Sequence, residues 1–313
     1  MSLKGTFTAM ITPLKNDELD EEGLVDNIQR QIQAGITGLV FLGTTGEAAT
    51  LTDEEQLRVI QIGVRETKGK ALVLIGTGSN STKHAIEKTK RAKDLGADIA
   101  LVVTPYYNKP TQEGIYRHYE AIAKNVDLPV LVYNIQGRTG VNIETSTLLR
   151  IADLPHIVGV KEASGNLGQA GDVIHTIVKR YPLFSVLSGD DAATLPMMAL
   201  GASGVVSVVS NLIPEKIVAL VNAALDGNFY EARKIHEDNL PLFKNAFIEV
   251  NPSPIKEAMN FCKMAAGSCR LPLCELKPEN REKLKLTLLE IGVFSEISAD
   301  EQFVQAKRVS KEI

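Results

Sequence analysis

Lys161 closes the apolar run Ile157-Val158-Gly159-Val160-Lys161-Glu162, and its position there gives it the clearest chemical potential in the sequence. Lysines are seldom buried without a partner, so a solvated, outward Lys161 is the plain alternative. In an extended strand alternate residues share a face, which groups Lys161 with Ile157 and Gly159 and turns Glu162 the other way. If that face is the inner one, Gly159 lies below the lysine and leaves it room, and its own strand offers it no carboxylate. Buried amines are nucleophiles. At an ordinary pKa of ~10.4 only about 1 amine in 2,500 is neutral at pH 7, and bringing that value to ~7–8 by desolvation costs about 3–5 kcal/mol. A neutral amine attacks a ketone and forms a Schiff base. Tyr133, at the end of the preceding apolar run, is suited to move protons to and from the carbinolamine oxygen. Gly43-Thr44-Thr45-Gly46-Glu47 offers two hydroxyls and loop N–H groups at a helix start, which suits the carboxylate of a 2-keto acid; its plain alternative is a helix cap.

These residues need a scaffold that gathers strand ends. Eight apolar runs, 6–11, 38–42, 71–75, 99–104, 129–134, 157–162, 184–188 and 204–210, alternate with helix-period segments such as 21–34, 53–68, 82–95 and 113–125. Most runs lack polar alternation, as strands covered on both faces do. Thr52 with Glu55 forms a capping box, and Gly35, Gly69, Gly96 and Gly201 sit at helix ends. Eight βα units predict an α/β fold, a (β/α)8 TIM barrel, in preference to an open doubly wound sheet. Three helices, 230–249, 254–266 and 278–291, follow as a C-terminal helical appendage, so the expected division is a catalytic barrel over 1–227 and a helical region over 228–313. The tail 292–313 reads equally as a further helix or a loose arm. In such a barrel the chemistry lies at the C-terminal ends of the strands.

Composition narrows the function. With 34 Lys+Arg against 38 Asp+Glu the net charge is -4, short of the basic surplus a nucleic-acid binder needs. No apolar run is long enough to span a membrane, and Met1–Thr6 has no signal-like core, so a cytoplasmic protein is expected. Cys262, Cys269 and Cys274 match no common zinc spacing and read as buried thiols. The five scattered histidines give no metal pattern, and Asp190-Asp191 reads as a helix N-cap, so neither metal nor cofactor is expected. Gly76-Thr77-Gly78-Ser79-Asn80-Ser81 lacks the third glycine of a dinucleotide fingerprint, and the segment from Gly63 to Lys70 fails the phosphate-loop spacing.

Longer motifs carry a family resemblance over residues 4–291: Gly43-Thr44-Thr45-Gly46-Glu47, Tyr133-Asn134 with Gly137-Arg138-Thr139-Gly140, Gly159-Val160-Lys161-Glu162-Ala163-Ser164-Gly165-Asn166, Gly189-Asp190-Asp191 and Asn251-Pro252-Ser253-Pro254-Ile255-Lys256. The sequence resembles the dihydrodipicolinate synthase family, which also holds N-acetylneuraminate lyase. The resemblance implies a class I aldolase-type condensation without metal or added cofactor. By it, Lys161 is the Schiff-base lysine, Tyr133 the proton donor, and Thr44 the hydroxyl linking Tyr133 to Tyr107 of a neighbouring subunit. Thr45 binds the pyruvate carboxylate, Val206 meets pyruvate through its backbone, and Gly189 shapes the same pocket. Arg138 matches the arginine that binds the carboxylate of aspartate 4-semialdehyde, a contact suited to a planar guanidinium. Gln136 stands where the family usually has proline, which predicts a looser loop before Arg138.

The implied assembly is a homotetramer, a dimer of dimers. Asn80 and Tyr106 match a lysine-binding site found in some members, but Asp53, Gln56 and His84 do not match the two histidines and glutamate of the strongly inhibited ones, so weak or absent lysine inhibition is expected. Two other functions remain open at this level: a pyruvate-dependent aldolase acting on a sugar acid such as N-acetylneuraminate or a 2-keto-3-deoxy acid, and a non-catalytic ligand-binding homologue.

Overall fold

The computed structural model describes residues 2–295. Eight parallel strands close into a barrel: β1 (Gly5–Ala9), β4 (Gly38–Phe41), β5 (Leu72–Gly76), β6 (Ile99–Val103), β7 (Val130–Asn134), β8 (Ile157–Glu162), β9 (Ser185–Ser188) and β10 (Gly204–Ser207). A two-stranded hairpin, β2 (Leu14–Lys15) with β3 (Glu18–Leu19), follows the first strand and was not foreseen. Its turn residues Asn16 and Asp17 both have positive φ, 55° and 66°, the backbone of a primed hairpin turn.

Helices α1 (Glu21–Gln33), α2 (Asp53–Thr67), α3 (Thr82–Asp94), α4 (Gln112–Asn125), α5 (Gln136–Thr139), α6 (Thr145–Ala152), α7 (Leu167–Val173), α8 (Thr194–Leu200) and α9 (Pro214–Leu225) lie between and after the strands. The expected (β/α)8 barrel is therefore the observed fold. Thr52 and Glu55 form both bonds of the predicted capping box at α2. Gly35, Gly69, Gly96 and Gly201 all take positive φ at helix ends, a conformation that costs side-chain-bearing residues energy. Barrel strands are buried almost throughout, as their unbroken apolar character requires.

Three further helices, α10 (Phe229–Asn245), α11 (Ser253–Phe261) and α12 (Pro278–Glu290), make up the C-terminal region within the described residues. α10 packs on α9 and α12, and α11 on α12. The part of the predicted tail from residue 296 onward lies outside the described residues. No helix among the described residues is long and apolar enough to cross a membrane.

The thiols depart from expectation. Cys274 is exposed, and Cys262 and Cys269 are only half-buried; burial pushes the pKa of both of these upward, so they stay protonated at neutral pH. Gly78 has a packing reason: a Cβ there would lie 2.6 Å from the backbone nitrogen of Val103.

Candidate active site

Parallel pairing fixes the two central side chains. Tyr133 and Lys161 are register partners on β7 and β8, so both leave the strand ends at the same level. Lys161 is 6% exposed and Tyr133 5%, and the lysine Nζ lies 4.3 Å from the centre of the tyrosine ring. The lysine therefore points inward, and among the described residues no ion pair or hydrogen bond to a carboxylate engages it. The room it occupies is made by Gly189 on the loop after β9, where a Cβ would lie 3.1 Å from Lys161 Cε and 2.6 Å from Ala163 Cβ. Gly159 does a different job from the one expected. A Cβ there would come within 2.2 Å of the Ser185 carbonyl on β9, so that glycine lets two strands pair.

Glu162 faces away from Lys161, as parity requires, and ties down the next loop. Its Oε2 accepts from Asn134 Nδ2 at 3.0 Å and its Oε1 from the Ser164 N–H at 2.7 Å. Asn134 also donates to Asn142 Oδ1 at 2.8 Å and accepts from the Ile143 N–H at 3.0 Å. Between these anchors sits α5, the single turn that carries Arg138. Gly140 N–H closes it on the Gln136 carbonyl at 2.9 Å, and the Thr139 hydroxyl donates to the Ile135 carbonyl at 2.9 Å. Gln136 opens this turn, where proline is tolerated because the N–H needs no helical partner. Gln136 and Thr139 bound a one-turn helix here. Arg138 is exposed, and its Nη2 donates to the Asn251 carbonyl at 3.4 Å.

The loop after β4 carries the threonines. Thr45 is buried and Thr44 exposed. Thr45 Oγ1 accepts from Asn251 Nδ2 at 3.0 Å. Glu47, in the same loop and at φ 52°, meets Lys256 of α11 in a buried ion pair of 2.8 Å, while its other oxygen accepts from the Arg270 N–H at 3.1 Å. Asn251, Lys256 and Arg270 all belong to the C-terminal region, and only the family motif hinted at the first two.

A cavity of about 380 Å³ opens at this end of the barrel, with Thr44, Tyr133, Arg138 and Asn251 in its wall. Val206 is fully buried on β10, paired with Phe7. Tyr107 stands apart: it is 88% exposed at φ 73°, while its neighbour Tyr106 lines the cavity. In the single chain no hydrogen bond joins Thr44 to Tyr133 or Tyr107. A larger hollow of about 540 Å³, between α11 and the segment 267–276, contains none of the predicted site residues.

The acidic pair after β9 divides its work. Asp190 Oδ1 accepts from the N–H groups of Ala192 and Ala193 in the turn before α8, whose N-cap Ala193 carries no side-chain cap bond, so the expected helix cap is not formed. Asp191 instead turns inward, and its Oδ2 accepts from the N–H groups of Val208 and Val209 at 3.0 and 3.2 Å, bracing the end of β10. Burial pushes its pKa up to about 6.

The chain is similar along most of its length to several known proteins. The 4-hydroxy-tetrahydrodipicolinate synthase of Protochlamydia amoebophila is 55% identical over 292 residues, 93% of this chain and 97% of that protein. The crystal structure of dihydrodipicolinate synthase from Aquifex aeolicus superposes with a TM-score of 0.91 at 43% identity, covering 94% of this chain and all of that one. The chloride-inhibited dihydrodipicolinate synthase from Acinetobacter baumannii, solved with pyruvate, gives 0.91 at 40% identity over 94% of this chain and 100% of its own. The model of the dihydrodipicolinate synthetase family matches residues 2–291, and the chain belongs to that family.

Proposed function

We propose that the protein condenses pyruvate with aspartate 4-semialdehyde to 4-hydroxy-tetrahydrodipicolinate, as a Schiff-base lyase of lysine and diaminopimelate biosynthesis. The observation that carries the reading is a buried lysine amine with no carboxylate partner, packed against a buried tyrosine on the adjoining strand end. Lys161 Nζ attacks the keto carbon of pyruvate to give a carbinolamine, Tyr133 supplies the proton with which water leaves, and an imine remains. Loss of a methyl proton turns the imine into an enamine. Its terminal carbon attacks the aldehyde carbon of the second substrate, whose oxygen takes up a proton. The amino group of that substrate then adds to the imine carbon and displaces Lys161, closing the ring and freeing the enzyme.

The Thr45 hydroxyl holds the pyruvate carboxylate, the Val206 backbone and Gly189 bound the same pocket, and Arg138 receives the carboxylate of the semialdehyde. Thr44 bridges Tyr133 to Tyr107 supplied by a second subunit. An aromatic side chain left 88% exposed beside the cavity supports that last role, and with it a homotetramer built as a dimer of dimers. The division into a barrel (1–227) and a helical region (228–313), and a cytoplasmic location, belong to the same proposal.

Borohydride reduction in the presence of pyruvate tests the reading directly. Mass measurement is expected to show one reduced pyruvate adduct per chain on a peptide containing Lys161, and none in Lys161→Ala. A Lys161→Ala enzyme that keeps the wild-type condensation rate refutes the assignment. Faster turnover of a sugar aldehyde than of aspartate semialdehyde moves the function to a sugar-acid aldolase.

A further inference from the structure

We infer that Asn251 is a positioning residue that forces the Thr45 hydroxyl to act as a hydrogen-bond donor toward the substrate carboxylate. The inference rests on the proposed role of Thr45. A threonine hydroxyl has one proton to give and two lone pairs to receive. Asn251 Nδ2 donates to Thr45 Oγ1 at 3.0 Å, and among the described residues no other hydrogen bond engages that hydroxyl. With a donor already facing the oxygen, the hydroxyl proton must point elsewhere. A carboxylate is acceptor-only, so a hydroxyl committed to donating is the form that binds it.

Two further observations favour a functional role over a structural one. Asn251 is 4% exposed, yet its Oδ1 finds no hydrogen-bond partner among the described residues. A buried, unsatisfied amide oxygen costs stability, so folding alone gives no reason for asparagine here. Asn251 also accepts from Arg138 through its own carbonyl at 3.4 Å, which joins the loop proposed for the first carboxylate to the residue proposed for the second.

The test is steady-state kinetics, with borohydride trapping of pyruvate as a separate readout, on Asn251→Ala, Asn251→Asp and the same changes in a Thr45→Val background. In Asn251→Ala the hydroxyl rotates freely and the pyruvate KM is expected to rise about fivefold with kcat little changed. In Asn251→Asp the carboxylate captures the hydroxyl proton and sets a negative charge beside the ligand. Loss of a hydrogen bond to a charged group, replaced by repulsion, should raise the same KM roughly a hundredfold. Thr45→Val should shrink the difference between the two variants to the part that charge repulsion alone supplies. A structural role gives the opposite order, because aspartate matches asparagine in shape and alanine leaves a gap. Equal effects of the two variants on pyruvate KM, or a difference undiminished without the Thr45 hydroxyl, overturns the inference. If Asn251→Asp does not fold, the Asn251→Ala and Thr45→Val cycle decides: additive effects on pyruvate KM refute the coupling. Wild-type enzyme that traps no pyruvate refutes the proposed function itself, a result separate from any of these.

Discussion

Replacing Lys256 by methionine probes how far the appended helices hold the loop after β4 that bears Thr44 and Thr45. Lys256 Nζ lies 2.8 Å from Glu47 Oε1, 3.1 Å from the Thr12 carbonyl and 2.6 Å from the Ser268 carbonyl. The two charged side chains are 2% and 0% exposed, so little solvent screens the pair. Methionine fills similar volume but leaves Glu47 as a buried carboxylate that keeps the Arg270 N–H at 3.1 Å and the neutral Cys269 thiol, but no cation, against it among the described residues. Breaking one side of such a pair costs about 3–5 kcal/mol, mostly the penalty of the stranded charge. Neutralising that charge in Lys256→Met/Glu47→Gln should therefore recover a substantial part of the loss. Urea unfolding followed by circular dichroism at one fixed protein concentration measures both, since protomer concentration enters the stability of an oligomer. The loop also bears Thr44 and Thr45, so kcat/KM for pyruvate should fall in the single variant and partly return in the double one. A Lys256→Met loss under about 1 kcal/mol, or a double variant no more stable than the single, refutes the reasoning.

Acid sensitivity should divide between two buried groups. Burial lowers the pKa of His118 to about 4, so its stabilisation, present above pH 6.5, is lost as pH falls toward 4, by about 3 kcal/mol at 1.36 per unit. Asp191 is raised to about 6 by burial, so its cost runs the other way, growing to about 3 kcal/mol as pH rises from 4 to 6. Unfolding free energies of Asp191→Asn between pH 4 and 6 should climb with pH more steeply than those of wild type; an unchanged slope contradicts the assignment. Tyr107→Phe should lower kcat well below wild type while leaving pyruvate trapping intact, and sedimentation at dilutions that separate subunits should show activity falling with assembly; full activity in a monomer counts against a shared site. Millimolar lysine should inhibit weakly, because Gln56 is already committed to the Ala48 and Leu51 carbonyls at 3.0 and 3.1 Å. Strong inhibition overturns that expectation.

The barrel was legible because its strands are buried on both faces and so read as unbroken apolar runs. All eight runs overlap an observed strand. Four overshoot at the C-terminal end, 6–11, 38–42, 99–104 and 204–210, because Met10, Ile11, Leu42, Thr104, Val208 and Val209 stay buried past the strand ends, and the N–H groups of Met10 and Thr104 still bond Val40 and Tyr133 on the neighbouring strands. Hydropathy reports burial, not pairing. The hairpin at 14–19 escaped because two-residue strands are too short to show alternation, although Asn16-Asp17 carried a turn signal. Parity found the inward face of Lys161 correctly yet named the wrong glycine, since the space above a strand end is bounded by the next strand's loop.

Contacts across two hundred residues leave no local signature. Asn251 meets Thr45 at a separation of 206 positions and Lys256 meets Glu47 at 209, so neither partner could be paired by periodicity. That gap follows from how the site is built. Lys161 and Tyr133 ride on hydrogen-bonded strands, where register alone sets their spacing. Thr45 and Arg138 ride on loops beyond the ladder, and a loop holds a side chain to catalytic tolerance only if something else fixes it. One anchor is internal to the barrel, the Glu162–Asn134–Asn142 network under Arg138. The other comes from outside it, through Asn251, Lys256 and Arg270 on the loop bearing Thr45. The appended helices therefore anchor the loop of the proposed site as the strands anchor its lysine and tyrosine.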